Sequence, residues 1–172
     1  MYTQTKLGTN EFRIVSYNLL ADLYADSDYS REHLFAQCPP HALDMSYRKC
    51  LIIKELLGYN SDLICLQEVD RGIFEWDLYP ILRQNGYDGI YDRKGDVSEG
   101  SACFWNMDKF EHVSRHRMVL RDAILSDSKF EDILSVIQTN EKVLEGVTKR
   151  STTLQTVVLK SKDDPKKGMS IT

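Results

Sequence analysis

Asp62-Leu63-Ile64-Cys65-Leu66-Gln67-Glu68-Val69-Asp70 is the stretch from which the rest of this 172-residue chain is read. Leu63 to Leu66 form a continuous apolar run, the pattern of a short strand covered on both faces. The run stops abruptly at Gln67-Glu68. A carboxylate at the end of a buried strand is partly desolvated, so it needs a hydrogen-bond donor or a cation as partner. A metal ion meets that need. An ordinary strand end reaching solvent is the other reading that this stretch, taken alone, allows.

The flanks supply its neighbours. Upstream, Leu51, Ile52, Leu56 and Leu57 recur at helical spacing from Ser46, with Lys49, Lys54 and Glu55 toward solvent and Gly58 as the C-terminal stop. Further upstream, the alternation in Phe12-Arg13-Ile14-Val15-Ser16 predicts a strand with Asn18 at its end. Residues 21–46, broken by Pro39-Pro40, read as a long ordered loop with a short helical piece, a length that is often functional. Downstream, Ile73, Phe74, Leu78, Ile81 and Leu82 predict a second amphipathic helix ending near Asn85-Gly86, with Pro80 as a kink or restart. Tyr87 to Tyr91 reads as a strand, Arg93 to Gly100 as a polar loop, Ser101 to Trp105 as a half-buried strand and Phe110 to Leu120 as an edge strand. Residues 126–146 read as helical, with Phe130, Ile133, Leu134 and Ile137 on one face. Thr152 to Leu159 is a β-branched strand, Lys160 to Gly168 a solvated turn, and Met169-Ser170-Ile171-Thr172 the beginning of another strand. Helices feeding buried strands predict an α/β layer structure.

Composition bounds the function. A chain of this length holds one domain with a real core. Its 42% hydrophobic and 28% charged residues suit a globular protein. The net charge of −4 argues against broad, non-specific nucleic-acid binding, though not against a nucleic-acid substrate handled by a metal and a few local basic groups. Cys38, Cys50, Cys65 and Cys103 form no CxxC pair, and reduced, largely buried thiols in an intracellular protein fit better than a disulfide framework or a zinc site. No apolar stretch reaches membrane-span length, and Met1 to Lys6 carries neither a secretory core nor an Arg-rich presequence.

Tyr17-Asn18-Leu19-Leu20-Ala21, then Leu66-Gln67-Glu68-Val69-Asp70, then Glu99-Gly100-Ser101-Ala102-Cys103-Phe104-Trp105 occur in a telling order. With them the chain resembles the endonuclease/exonuclease/phosphatase superfamily, in its deadenylase-like branch, and within that branch it looks most like the mitochondrial 2′,5′-phosphodiesterases. The closer match rests on Val15 to Asp22 and on Lys54 to Arg71. The resemblance implies a four-layer α/β sandwich: two facing β-sheets flanked by helices, with the active site in a cleft at one end. It implies that Glu68 binds a divalent cation, Mg²⁺ with Mn²⁺ as the alternative. It implies that Asn18 beside it helps hold the phosphate, and that Glu99 and Gly100 line the substrate cleft. Mg²⁺ suits such a site because it prefers carboxylate oxygens and keeps several waters. The substrate implied is oligoadenylate or poly(A) RNA. There is no DNA-binding motif, and nothing sets the oligomeric state. The resemblance admits a mitochondrial location, although the chain shows no transit peptide.

The family's later motifs, an Asn-Thr-His strand, a Gly-Asp-Phe-Asn loop and a Ser-Asp-His segment, do not occur here. His33, His41, His112 and His116 lie in none of those contexts. The expectation is therefore that residues 1–172 form the N-terminal portion of a single catalytic domain, apparently truncated, with little hydrolytic activity of its own. An exposed inner sheet face is expected with it. Two other readings stand beside it: an inactive fragment or isoform that acts as a binding module, and a superfamily phosphatase of small molecules, which the Asp70 context and the 21–46 loop disfavour. Phe104 or Trp105 could stack a base, and Arg31, Arg48, Arg71 and Arg93 are phosphate-contact candidates against a default of solvated charges.

Overall fold

A strand as apolar as Leu63–Leu66 needs cover on both faces, and the computed structural model, which describes residues 3–8, 11–164 and 167–172, supplies it. The first sheet comprises β1 (Ile14–Asn18), β2 (Leu63–Asp70), β3 (Tyr87–Arg93) and β4 (Glu99–Asn106), in the order β1-β2-β4-β3. β1 runs parallel to β2, whereas β4 is antiparallel to both β2 and β3. β2 is thus an interior strand. β5 (Phe110–Val119), β6 (Thr153–Ser161) and β7 (Gly168–Ile171) form a second, antiparallel sheet in that order.

Side chains of β2 alternate between two cores. Ile64 and Leu66 point to the helix side, where they pack with Ile52, Leu56, Leu78, Leu82 and Phe104. Leu63 points the other way and joins Cys103 and Trp105 against Phe110, Val157 and Leu159 of the second sheet. The second sheet therefore covers part of the inner face that the sequence led us to expect exposed. Burying each such leucine contributes roughly 2 kcal/mol. The architecture is mixed α/β with two sheets and flanking helices, as expected.

Several elements differ from their sequence reading, each for a local reason. Residues 21–46 are largely helical: α1 (Asp22–Ala25), a π-helical turn Ser30–Leu34 and α2 (Pro40–Leu43). The next helix, α3 (Met45–Tyr59), runs through Gly58 and stops at Asn60, whose φ of 49° is left-handed. Asn takes the capping position that glycine usually fills. Leu51 is 50% exposed, while the supposedly solvated Lys49 and Glu55 have partners in Asp77 and in the hydroxyls of Tyr17 and Tyr59. Pro80 breaks nothing. It lies in the first turn of α5 (Tyr79–Gln84), where its missing N–H is tolerated, and α5 follows α4 (Arg71–Ile73) through a π-helical turn at Phe74–Leu78.

Residues 126–146 are not one helix. α6 (Leu120–Ser126), a 3₁₀ turn, α7 (Glu131–Gln138) and α8 (Glu141–Thr148) succeed one another, and the breaks fall where Asp127 and Asn140 accept the following backbone N–H groups. None of these helices holds a buried residue. The supposed loop 93–100 is shorter than expected, because β4 already begins at Glu99. The turn after β6 falls partly outside the described residues at Pro165 and Lys166. Phe104 and Trp105 are both buried, on opposite faces of β4, so neither is available to stack a base. Trp105 instead stacks on the exposed His112 at 5.2 Å.

Cys65 and Cys103, far apart in sequence, stand opposite each other on β2 and β4, and both are free thiols. The hydrogen bond between them pulls the Cys65 thiol down and, with burial, pushes the Cys103 thiol up. Iodoacetamide on the native chain is expected to modify exposed Cys50 first and Cys103 only after unfolding, as read by peptide mass mapping against a urea-unfolded control.

Candidate active site

The site is built at the end of β2 by one extra residue. β2 advances from Leu66 to Val69 while β4 goes only from Ala102 to Gly100, so Gln67 and Glu68 form a β-bulge. Glu68 takes a left-handed φ of 52°, a conformation that a residue with a Cβ adopts only at a cost of roughly 1 kcal/mol or more. The bulge decides which way the side chains point. Strict alternation from Leu66 would leave Glu68 on the helix side and send Val69 inward. Instead Val69 packs in the helix-side core. Asn18 lies on the opposite face of β1 from Val15 and Tyr17, which pack against that core. Glu68 meets it there: the Asn18 amide Nδ2 donates to Glu68 Oε1 at 2.7 Å.

Asn18 is itself fixed by the turn that follows β1. Its Oδ1 accepts from Leu20 N at 2.9 Å, and Leu19 N donates to Gln67 O at 2.9 Å. Leu20 is left-handed as well, at φ 57°. Arg48 of α3 holds this strained turn: one Nη donates to the carbonyls of Leu19 and Leu20, the other reaches Asp22 at 3.0 Å, and Nε bonds Leu43 O. Arg48 is 13% exposed, so it is a turn-holding residue rather than a solvated charge or a phosphate contact. Asp22 N in turn donates to Asp70 Oδ2 at 2.9 Å, tying α1 to the end of β2. Burial, and then the Asp70 charge, raise the Asp22 carboxyl above its ordinary range, with Arg48 offsetting only part of that.

The other two predicted residues sit on the adjacent strand. Glu99 is 2% exposed, and its Oε1 takes Lys94 Nζ at 2.9 Å and the Tyr24 hydroxyl at 3.1 Å. The Lys94 ammonium is held above its usual range by that carboxylate. Gly100 has a packing reason for lacking a side chain: a Cβ there would lie 2.2 Å from the Asp92 carbonyl oxygen on β3. Asn18, Glu68, Glu99 and Gly100 therefore share one end of the first sheet. Among their described side chains, those of Asn18 and Glu68 hydrogen-bond to each other, whereas Glu99 is engaged by Lys94 and Tyr24. Arg48 entered the sequence reading only as a phosphate-contact candidate, and Tyr24 not at all, because their acceptors at Leu19, Leu20 and Glu99 lie many residues away and leave no local pattern.

Among the described residues no three His, Cys, Asp or Glu side chains converge on a common point. A closed metal cage is thus not what these residues make. One carboxylate beside a neutral amide suits a hard cation that keeps most of its waters and takes few protein ligands. Glu68 would hold Mg²⁺, which would offset charge developing on a phosphoryl oxygen. The Asn18 amide can donate to an anionic oxygen without repelling it.

No family model matches the chain. Mouse 2′,5′-phosphodiesterase 12 is 41% identical over 171 residues, which is 99% of this chain and 28% of the relative. Carbon catabolite repressor protein 4 homolog 1 of Arabidopsis thaliana is 34% identical over 164 residues, 91% of this chain and 26% of the relative. The chain thus spans less than a third of the length of these curated relatives. Among solved structures, ANGEL2, a 2′,3′-cyclic phosphatase, superposes with a TM-score of 0.71 at 22% identity, over 92% of this chain and 39% of that one. The curated relatives, with a fold that agrees, mark an endonuclease/exonuclease/phosphatase-type protein. The chain belongs to that superfamily, in its deadenylase-like branch.

The left-handed Glu68 has a measurable signature. Alanine is ordinarily more stable than glycine inside a strand by roughly 0.5–1 kcal/mol. Here the order is expected to reverse, with Glu68→Gly more stable than Glu68→Ala by about 1 kcal/mol in urea unfolding, since only glycine takes φ of 52° freely. An ordinary Ala-over-Gly order would show that the bulge relaxes.

Proposed function

We propose that this chain carries the metal-binding and phosphate-orienting residues of a Mg²⁺-dependent phosphodiester hydrolase that acts on oligoadenylate or poly(A) RNA. Glu68 is the metal ligand. Asn18 orients a phosphate oxygen beside it, and Glu99 with Gly100 shapes the rim on which the substrate lies. The observation that carries this reading is the 2.7 Å contact between Asn18 and Glu68, produced by a bulge that re-aims the carboxylate at the cost of backbone strain. A residue kept in a left-handed conformation where glycine would be easier is retained for its side chain. The choice of RNA draws on the curated relatives, which are named as a 2′,5′-phosphodiesterase and as a 3′-5′-exoribonuclease subunit.

The activity of the 172 residues alone is expected to be slow, because nucleophile activation and proton transfer contribute factors of about 10²–10⁴ each and the Asn-Thr-His, Gly-Asp-Phe-Asn and Ser-Asp-His motifs that the resemblance assigns to them do not occur in these residues. Metal binding is the direct test. Mn²⁺ followed by the loss of its free-ion electron paramagnetic resonance signal should bind one site, and Glu68→Gln should weaken that site by tenfold or more. Turnover of 2′,5′- and 3′,5′-linked oligoadenylate is followed in parallel. Mn²⁺ affinity or turnover that survives Glu68→Gln unchanged overturns the assignment.

A further inference from the structure

β3 is an edge strand, and beside it the α4–α5 segment leaves an open cleft of about 480 Å³. Its lining combines two kinds of group. Arg71, Arg93 and Arg115 bring three guanidinium charges, against the single carboxylate of Glu75. Phe74, Tyr79 and Tyr91 bring half-buried rings, with Phe74 stacked on Tyr91 at 5.2 Å and tilted against Tyr79 at 5.6 Å. At Gly89 the missing side chain makes room for the Phe104 ring, which a Cβ there would overlap, so an apolar ring rather than a β3 side chain backs this part of the cleft.

The charges are only partly compensated. Arg71 Nε meets Glu75 at 2.7 Å in an exposed pair, which is weak. Arg93 bonds the backbone carbonyls of Val97 and Asp96, which carry no net charge. Arg115 stands 3.9 Å from buried Asp92, whose other oxygen already accepts from Gln155. The cleft is therefore locally positive on a chain whose net charge is −4.

Its position matters as much as its chemistry. Arg71 follows Glu68 by three residues. Arg93 pairs in register with Gly100, which pairs with Val69. The Arg71–Arg93 mouth of the cleft thus lies at the same end of the sheet as Asn18 and Glu68, with β3 two strand spacings, or about 10 Å, from the strand of Glu68 and three from that of Asn18. We propose that it is an accessory site for a single-stranded RNA segment away from the cleaved bond. The guanidiniums of Arg71, Arg93 and Arg115 take backbone phosphates, and the rings of Tyr91, Phe74 and Tyr79 take a base. Arginine with interleaved aromatic rings is the pairing that single-stranded nucleic acid uses, and base stacking on such rings tolerates any sequence. This inference rests on the RNA-hydrolase reading above.

The test uses a fluorescently labelled oligoadenylate of about eight nucleotides, titrated with the chain in EDTA so that no metal contributes, over a series of salt concentrations. The double variant Arg71→Ala/Arg115→Ala is expected to weaken binding about tenfold or more. It should also flatten the salt dependence by about 0.7 in log–log slope for each phosphate left without its arginine. An abasic phosphodiester oligomer of equal charge should bind the wild-type chain at least about fivefold more weakly. Both arginines are more than half exposed, and circular dichroism with a single Arg115→Glu variant keeps the comparison free of folding effects. A wild-type chain that fails to bind the RNA overturns the inference. So does a double variant with unchanged affinity and slope, or equal binding of the abasic oligomer or of polyglutamate, which would make the cleft a general anion surface. Glu68→Gln separates the two ideas, because it should weaken Mn²⁺ binding by tenfold or more yet not weaken RNA binding measured in EDTA. Loss of the cleft effect alone leaves the hydrolase reading standing.

Discussion

Everything at the functional end of this protein depends on one extra residue in β2. A strand buried between a helical layer and a second sheet has both faces committed, so each position along it has its direction set by the pleat. The bulge at Gln67-Glu68 releases that commitment at one place only. It returns Val69 to the helix-side core and turns Glu68 toward Asn18, so the apolar run continues without sacrificing a core position to a carboxylate. The left-handed φ at Glu68 is the local cost of that arrangement, and the surrounding ladder of β1, β2 and β4 sustains it.

The residues around the pair show how such strain is contained. Leu20 is also left-handed, and its turn is held by the Asn18 side-chain oxygen from within and by Arg48 from α3. Asp70 secures the start of α1, and Lys94 and Tyr24 satisfy the buried carboxylate of Glu99 on the neighbouring strand. In each case a charged or polar side chain is occupied by a backbone or side-chain partner, which is the condition for burying it. Asn18 is held at both ends of its amide yet stays exposed. Its Oδ1 is tied to the turn while its Nδ2 faces the Glu68 carboxylate, so the amide is pre-oriented without being shielded.

Periodicity made β1, β2, α3 and the strand around Ser101–Trp105 legible in the sequence, because burial imposes a pattern at the residues themselves. It failed where the deciding contact is remote. The segment 126–146 carries a convincing apolar stripe, yet Asp127 and Asn140 cap it into pieces and Ile133 remains 48% exposed. Glu99 fell within the supposed polar loop because its partners Tyr24 and Lys94 come from α1 and from the turn between β3 and β4. Arg48 read as a solvated helix charge because its acceptors are carbonyls near residue 20. Asn18 and Glu68 were legible through family resemblance. The bulge that joins them was not, since no composition marks a non-glycine residue as left-handed.

The charge distribution resolves what first looked like an objection to a nucleic-acid substrate. A net charge of −4 repels a polyanion at long range, but beyond about 8–10 Å salt screens most of that repulsion. Within that distance the local groups decide, and around the β3 edge those are Arg71, Arg93 and Arg115. Near Asn18 and Glu68 the carboxylates of Asp22, Asp70 and Glu68 dominate instead, so the phosphate of the proposed substrate would need a cation there. An acidic end beside a basic edge would hold an RNA strand by its distant phosphates while leaving the scissile phosphate to depend on metal. Association would then be separable from chemistry: the first governed by arginines and salt, the second by Glu68 and the cation proposed for it.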